Sequence, residues 1–411
     1  MNVKKLRLLS LAFILVLAPV DSLCATKLTP VEELGKKLFF DQNLSTPPGQ
    51  SCAACHSQAD GWTGPTENLS GVYEGAVKGR FGNRKPPSAA YAGGSPVLHM
   101  DKDGGFVGGM FWDGRASGDQ WKDPLAEQAG GPFLNPLEQN NPDKQAVVRE
   151  VRRSAYASLF EQVWELQAGE WDQNVDRIYE YIARSIAAYE RSEEVNPFNS
   201  KFDDFWRRAT ARMLEVEEIN AAHWRNFADL GLDETELKGL MLFNTKAKCA
   251  NCHSLAPGPD HKPPLFTDYT YDNTGVPKSP ANPFYTLDKR FNPAGKNWVD
   301  LGLGGFLKTA PKYAPYAHRN LGKFKVPTLR NVDLRKEPGF IKVYMHNGSL
   351  KSLKEVVHFY NTRDAGQFPP PEIKANLNTE EMGHLGLTSE EEDAIVAFLK
   401  TLSDRTVLPR N

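Results

Sequence analysis

The chain has 411 residues, 49 Lys and Arg against 51 Asp and Glu, and a formal charge of −2. The length allows two domains, each able to bury its own core. The near balance of charge argues against a nucleic-acid binder. The only long apolar run, Leu8 to Val20, is too short to span a bilayer as a mature helix.

That run belongs to an export signal. Lys4, Lys5 and Arg7 form its basic end, and Ala25 is a plausible cleavage point. Leu23 before Cys24 is not the small residue that a lipoprotein signal needs. Residues 1–25 carry three basic groups and Asp21, so the mature chain has a charge of about −4 and is expected in the periplasm. Apolar residues at helical spacing predict helices over about 31–41, 143–167, 172–192, 201–221, 233–246, 351–361 and 388–403. Asp233 with Glu236, and Thr388 with Glu391, read as capped helix starts. Residues 57–110 and 256–325 are rich in Gly, Pro, Asn and Asp and read as long functional loops. Strand signals are sparse.

Two copies of one motif dominate this pattern: Cys52-Ala-Ala-Cys55-His56 and Cys249-Ala-Asn-Cys252-His253. The spacing Cys-x-x-Cys-His reads as covalent attachment of a c-type haem. Two thiols add to the porphyrin edge, and the next residue sits beneath the iron, so His56 and His253 are the expected axial ligands. The alternatives are a surface disulfide or half a zinc site. Of five cysteines, Cys24 leaves with the signal, and the two motifs consume the other four. Glu33-Leu-Gly-Lys-Lys-Leu-Phe-Phe40 precedes the first motif as Glu236-Leu-Lys-Gly-Leu-Met-Leu-Phe243 precedes the second. The expected fold is therefore mainly α: two cytochrome-c-like helical domains with long irregular loops, over 26–200 and 201–411, each with one covalent haem. A hinge is expected near Val195 to Lys201.

A third segment carries chemistry. Phe111-Trp112-Asp113-Gly114-Arg115 is followed by Glu127-Gln128-Ala-Gly-Gly-Pro132 and then Glu138. Cleaving a peroxide needs a base for the bound oxygen and an acid for the leaving one. A carboxylate held in an apolar haem pocket can do both, because desolvation raises its pKa. Glu138 is the candidate, with Gln128 orienting the peroxide. Arg115 and Arg330 are candidates for pairing with haem propionates; an ordinary structural salt bridge is the alternative.

With the motifs Ser51-Cys-Ala-Ala-Cys-His56, Phe111-Trp-Asp-Gly-Arg115, Glu127-Gln-Ala-Gly-Gly-Pro132, Lys248-Cys-Ala-Asn-Cys-His253 and Phe324-Lys-Val-Pro-Thr-Leu-Arg-Asn331, the mature chain resembles the bacterial di-haem cytochrome c peroxidase and MauG family. The resemblance implies that Trp112 relays electrons between the haems. It implies that Gln128, Pro132 and Glu138 form the peroxide pocket. It also raises a calcium ion between the haems, for which Asn83 is the candidate side chain. The family's Thr-x-Pro carbonyl pair appears here as Ile341-Lys342-Val343.

Two departures point to a MauG-like, MbnH-like branch. Peroxidase members carry a distal His after the first motif, whereas Ser57 to Leu98 contains none and the first is His99. Fourteen residues after the motif His, here His346, peroxidases have Met and MauG has Tyr; here it is Tyr360. His358, two residues back, points about 200° away on a helix, so both cannot face one iron. MauG's Trp two residues before the second motif is Ala247 here, so a route for electrons from a partner must differ. The implied activity is oxidation of an aromatic side chain of a periplasmic partner protein by hydrogen peroxide, through a high-valent di-haem state. The alternative is a cytochrome c peroxidase fed by a small cytochrome or copper protein. A pure electron carrier is disfavoured, because a carrier gains nothing from an open iron.

Overall fold

The computed structural model describes residues 27–64, 70–167 and 169–405, so the export signal expected over residues 1–25 lies outside the described residues. In chain order the helices are α1 (Pro30–Phe40), α2 (Pro124–Leu134), α3 (Lys144–Arg153), α4 (Ala157–Trp164), α5 (Glu170–Gln173), α6 (Val175–Arg191), α7 (Lys201–Ala211), α8 (Glu234–Asn244), α9 (Gly302–Thr309), α10 (Leu353–Thr362) and α11 (Ser389–Lys400). Strands are confined to two antiparallel two-residue pairs, β1 (His99–Met100) with β2 (Phe106–Val107) and β3 (Tyr271–Asp272) with β4 (Phe324–Lys325). The fold is mainly α, as expected.

Local chemistry sets the helix starts. Thr29 with Glu32, Asp233 with Glu236, and Thr388 with Glu391 form capping boxes that satisfy otherwise orphaned N–H groups at the starts of α1, α8 and α11. Two large apolar cores result, beside smaller clusters around Leu303 and around Leu125. One gathers Leu34, Leu38 and Phe39 of α1 with Val147, Val151, Ile178, Ile182, Ile186 and Val195. The other runs from Phe202 through Leu240, Phe243 and Phe359 to Phe398 and Leu402. The changeover between them falls between Val195 and Phe202.

The sequence echo is a packing echo. α1 lies on α6, and α8 lies on α11. A glycine marks each crossing. A Cβ on Gly35 would sit 1.9 Å from the Ser185 carbonyl oxygen, and one on Gly239 would sit 1.9 Å from that of Ala394. Four residues on, Phe39 packs near the His56 ring and Phe243 lines the cavity that holds His253. The structural alignment of the halves is thus Gly-x-x-x-Phe, one residue off the Glu-anchored match read in the sequence. Gly35→Ala and Gly239→Ala are each expected to cost about 1–3 kcal/mol, because the crossing must widen at a backbone contact. Denaturant unfolding midpoints check this.

Several elements differ from expectation. The segment 143–167 splits, because the Ser154 hydroxyl bonds the Val151 carbonyl at 2.7 Å and its backbone turns extended, so α4 starts afresh at Ala157. The segment 172–192 divides at Asn174 into α5 and α6. The helix expected over 201–221 stops at Ala211, where Met213 takes φ of 56°. Two helices come from stretches that glycine makes poor helix formers: α2, with Gly130 and Gly131, and α9, with Gly304. Close packing overrides propensity in both. A Cβ on Gly130 would meet Trp121 and Tyr179 at 3.2 and 3.3 Å, and one on Gly304 would meet Leu321 N at 2.6 Å.

Candidate functional site

Each motif forms a 3-10 turn directly after a connector, Cys52–Ala54 after α1 and Cys249–Asn251 after α8. In both, the following histidine is turned the same way. The Nδ1 of His56 lies 3.1 Å from the Trp62 carbonyl oxygen, and that of His253 lies 2.9 Å from the Phe266 carbonyl oxygen. An Nδ1–H donated to a carbonyl fixes the tautomer and leaves Nε2 free as a ligand. Burial pushes the pKa of both imidazoles down, His56 to about 4, which keeps the rings neutral as ligation requires. The four thiols are unpaired and half-buried, and burial pushes their pKa values up.

Each motif opens onto a cavity. The first is lined by Cys52, Cys55, His56, Phe111, Trp112, Arg115, Gln128, Pro132 and Glu138. The structure thus brings together the residues expected of a peroxide pocket. Helix α2 does much of this: Asp123 caps it, accepting from Leu125 N and Ala126 N, and Gln128 and Pro132 lie one turn apart on one face. Glu127 of the same motif has another task. Its carboxylate accepts from the backbone N–H groups of Gly118, Gln120 and Trp121 and pins the preceding loop. Gly131 has no side chain where one would meet the Phe111 ring at 3.0 Å. Phe111 itself takes φ of 64°, a strained conformation immediately before Trp112. Burial pushes the Glu138 carboxyl above the usual range, with Arg115 and a bond from Asn135 pulling it partly back.

The second cavity is lined by Cys249, Cys252, His253, Tyr360, Met345 and His346, among others. Helix α10 presents Tyr360 to it. His358 lies elsewhere, with Nδ1 2.9 Å from Glu392 Oε1 and Nε2 2.7 Å from Gln367 Oε1. The bond to Glu392 holds its pKa above the ordinary value, and both ring nitrogens are engaged outside the cavity. Trp112 lines both cavities. Its indole N–H donates to the Lys85 carbonyl at 2.7 Å, and its ring lies edge-on to His346 at 6.4 Å.

Arg115 stacks over Phe111 at 3.7 Å and bonds Asp113 at 3.0 Å. Arg330 lines the second cavity. It is 1 % exposed, pairs with the fully buried Asp203 at 2.7 Å, and donates twice to the Pro264 carbonyl. The structural salt bridge is thus present, and it leaves two of the five guanidinium N–H donors for a further acceptor. Asn83 lines the first cavity, and its carbonyl accepts from Asn282 Nδ2 at 2.9 Å. Glu190 was not foreseen, and His346 entered the sequence reading only as the residue from which Tyr360 is counted. Glu190 of α6 is 4 % exposed, lines the first cavity, has an unbonded Oε2, and is pushed by burial to a pKa of about 8. The ring of His346 is 4 % exposed and stacked on Phe324 at 3.6 Å, with Nε2 unbonded and its pKa lowered by burial to about 4. Glu190 gave no periodic signal that distinguished it from the polar face of its helix.

Known proteins resemble this chain in sequence and in fold. The model of the di-haem cytochrome c peroxidase family matches residues 30–211. The chain is 33 % identical to methylamine utilization protein MauG of Paracoccus denitrificans, over 98 % of this chain and 97 % of that one. It is 29 % identical to cytochrome-c peroxidase IdrP2 of a Pseudomonas species, over 90 % and 80 % of the two chains. The structure matches the diheme peroxidase BthA of Burkholderia thailandensis with TM-score 0.69 and 26 % identity, covering 92 % and 89 %. A MauG-like protein associated with microbial copper homeostasis shares the fold, with TM-score 0.60 over 94 % and 92 % at 23 % identity. Identity of this extent with MauG over nearly the full length leaves one assignment: the chain belongs to the di-haem cytochrome c peroxidase and MauG family, and is a two-haem oxidoreductase.

Proposed function

We propose that this enzyme is a periplasmic MauG-like oxidase, which consumes hydrogen peroxide at the His56 cavity and oxidises an aromatic side chain of a partner protein from the His253 cavity. In each of its two helical domains, 26–200 and 201–411, the thiols of the motif would hold one haem, and His56 in the first cavity and His253 with Tyr360 in the second would hold the irons. When bound, the haems supply the electrons that peroxide reduction to two waters requires. The protein's share is protons and position. Glu138 takes the proton from the oxygen that attacks and returns it to the oxygen that leaves. Gln128 and Pro132 limit where the peroxide can lie. Trp112, shared by both cavity walls, carries the electron transfer between them. Arg115 in the first cavity wall and Arg330 in the second are the candidates for haem propionates.

One observation carries this reading. Among the described residues, His56 is the single imidazole lining the first cavity, so no second histidine closes the far side of that site. The relatives named cytochrome-c peroxidase support the rival reading, in which a small cytochrome or copper protein supplies electrons and peroxide removal is the purpose. Electron paramagnetic resonance of the resting ferric enzyme separates the two. One high-spin and one low-spin haem are expected without prior reduction. Two low-spin haems that open only after one-electron reduction would return the protein to the peroxidase class.

A further inference from the structure

Two lysines point inward where the two cavities approach each other. Lys85 lines both cavities, and its ammonium donates to Thr63 Oγ1 at 2.8 Å and the Pro86 carbonyl at 3.3 Å. Lys342 is 6 % exposed and lines the second cavity. Its Nζ donates to three backbone carbonyls, those of Asp60 at 2.9 Å, Asn331 at 2.9 Å and Leu334 at 2.8 Å. Three acceptors need three N–H donors, which the ammonium has and a neutral amine lacks. Burial opposes both charges, lowering the pKa of Lys85 to about 8 and that of Lys342 as well, and each ammonium repels the other. Two like charges retained in such a place need compensation from what surrounds them.

The family resemblance implies a calcium ion in this layer, held by an asparagine side chain and backbone carbonyls. The donor set does not fit it. Calcium takes six to eight oxygens, with carboxylates prominent among them. Asn83 offers a single side-chain oxygen there, and the next two residues are the cations Arg84 and Lys85. The nearby carboxylates are spent: Arg84 pairs with Asp113 at 2.6 Å and with Asp300 at 2.7 Å. The residue between Ile341 and Val343, whose carbonyls were the other candidate ligands, is Lys342, which brings a cation rather than an oxygen donor to the cavity wall.

We propose that the ammonium groups of Lys85 and Lys342 are the resident cations of the layer between the haem sites, and that no calcium binds there. Lys342 ties the segment after the first motif, at Asp60, to Asn331 and Leu334 of the C-terminal half, as a bridging metal would. Lys85 holds the relay: its backbone N–H donates to the His346 carbonyl at 2.7 Å, while its own carbonyl receives the Trp112 indole. Both are positioning residues, and the proposal is independent of which molecule the enzyme finally oxidises.

The test begins with the native holoenzyme. Elemental analysis is expected to find calcium well below one per chain, and a calcium chelator is expected to leave the thermal midpoint unchanged. One tightly held calcium per chain, or a midpoint that falls with chelator, would overturn the proposal. Lys342→Met supplies the second arm. It is expected to lower the thermal midpoint and, by removing a buried positive charge, to lower the haem reduction potentials read in a spectroscopic titration. Potentials and midpoint both unchanged in Lys342→Met would also overturn it. If that variant does not fold, the metal analysis of the native protein still decides.

Discussion

Replacing Tyr360 by Phe is expected to abolish partner-protein oxidation while peroxide is still consumed. The reason lies in where the two activities sit. Tyr360 reaches the cavity of His253, whereas Glu138, Gln128 and Pro132 line the cavity of His56. A phenolate is a hard, anionic ligand that lowers a haem's reduction potential; a thioether raises it. Tyr360→Phe should therefore change the low-spin spectrum of the second haem and shift its potential, leaving the high-spin signal of the first intact. Tyr360→Met should raise that potential further and turn the haem into an electron donor of the peroxidase kind. The structure narrows the rival ligands. His358 is engaged by Glu392 and Gln367 outside the cavity, whereas Met345 does line it. An unchanged spectrum and potential in Tyr360→Phe would make Met345 the ligand and remove the main support for a MauG-like activity.

What could be read in the chain depended on how local the cause was. The motifs at Cys52 and Cys249 are covalent chemistry at fixed spacing, and the capping boxes at Asp233 and Thr388 are contacts between residues three apart. Both kinds of signal lie inside a short window. The orientation of Tyr360 against His358 followed from helical geometry alone, and α10 places Tyr360, with Leu353, Val356 and Val357, at the cavity and His358 outside its lining. The failures share the opposite property. Helix α2 exists because Trp121 and Tyr179 pack on its glycines, and α9 because Leu321 packs on Gly304; those partners come from other parts of the chain. The partner of Arg330 is Asp203, more than a hundred residues away. Lys342 looked like a mere interruption of a carbonyl pair, and only the fold shows the three carbonyls around its Nζ. Glu190 lies on the long helix α6, and only the fold reveals which cavity it borders.

Glu138→Gln is expected to preserve both haem spectra and to slow the reaction with peroxide by about 10²-fold or more, the range for losing a positioned acid–base group. Glutamine keeps the shape of the side chain and loses the proton site. The pH profile gives a sharper sign. The carboxylate is the form that accepts the peroxide proton, and burial holds its pKa above the usual carboxylate range. The wild-type rate should therefore rise as pH climbs through that raised pKa, whereas the Glu138→Gln rate should be low and flat. Glu190 is the control from the same cavity. With a pKa near 8 it keeps its proton at neutral pH, where glutamine imitates the neutral acid closely. Glu190→Gln should thus match the wild type at pH 7 and diverge only above about pH 8, where the native side chain ionises and the amide cannot. Stopped-flow kinetics across pH reads both variants. An unchanged rate in Glu138→Gln, together with a large loss at pH 7 in Glu190→Gln, would transfer the proton-carrying role from Glu138 to Glu190.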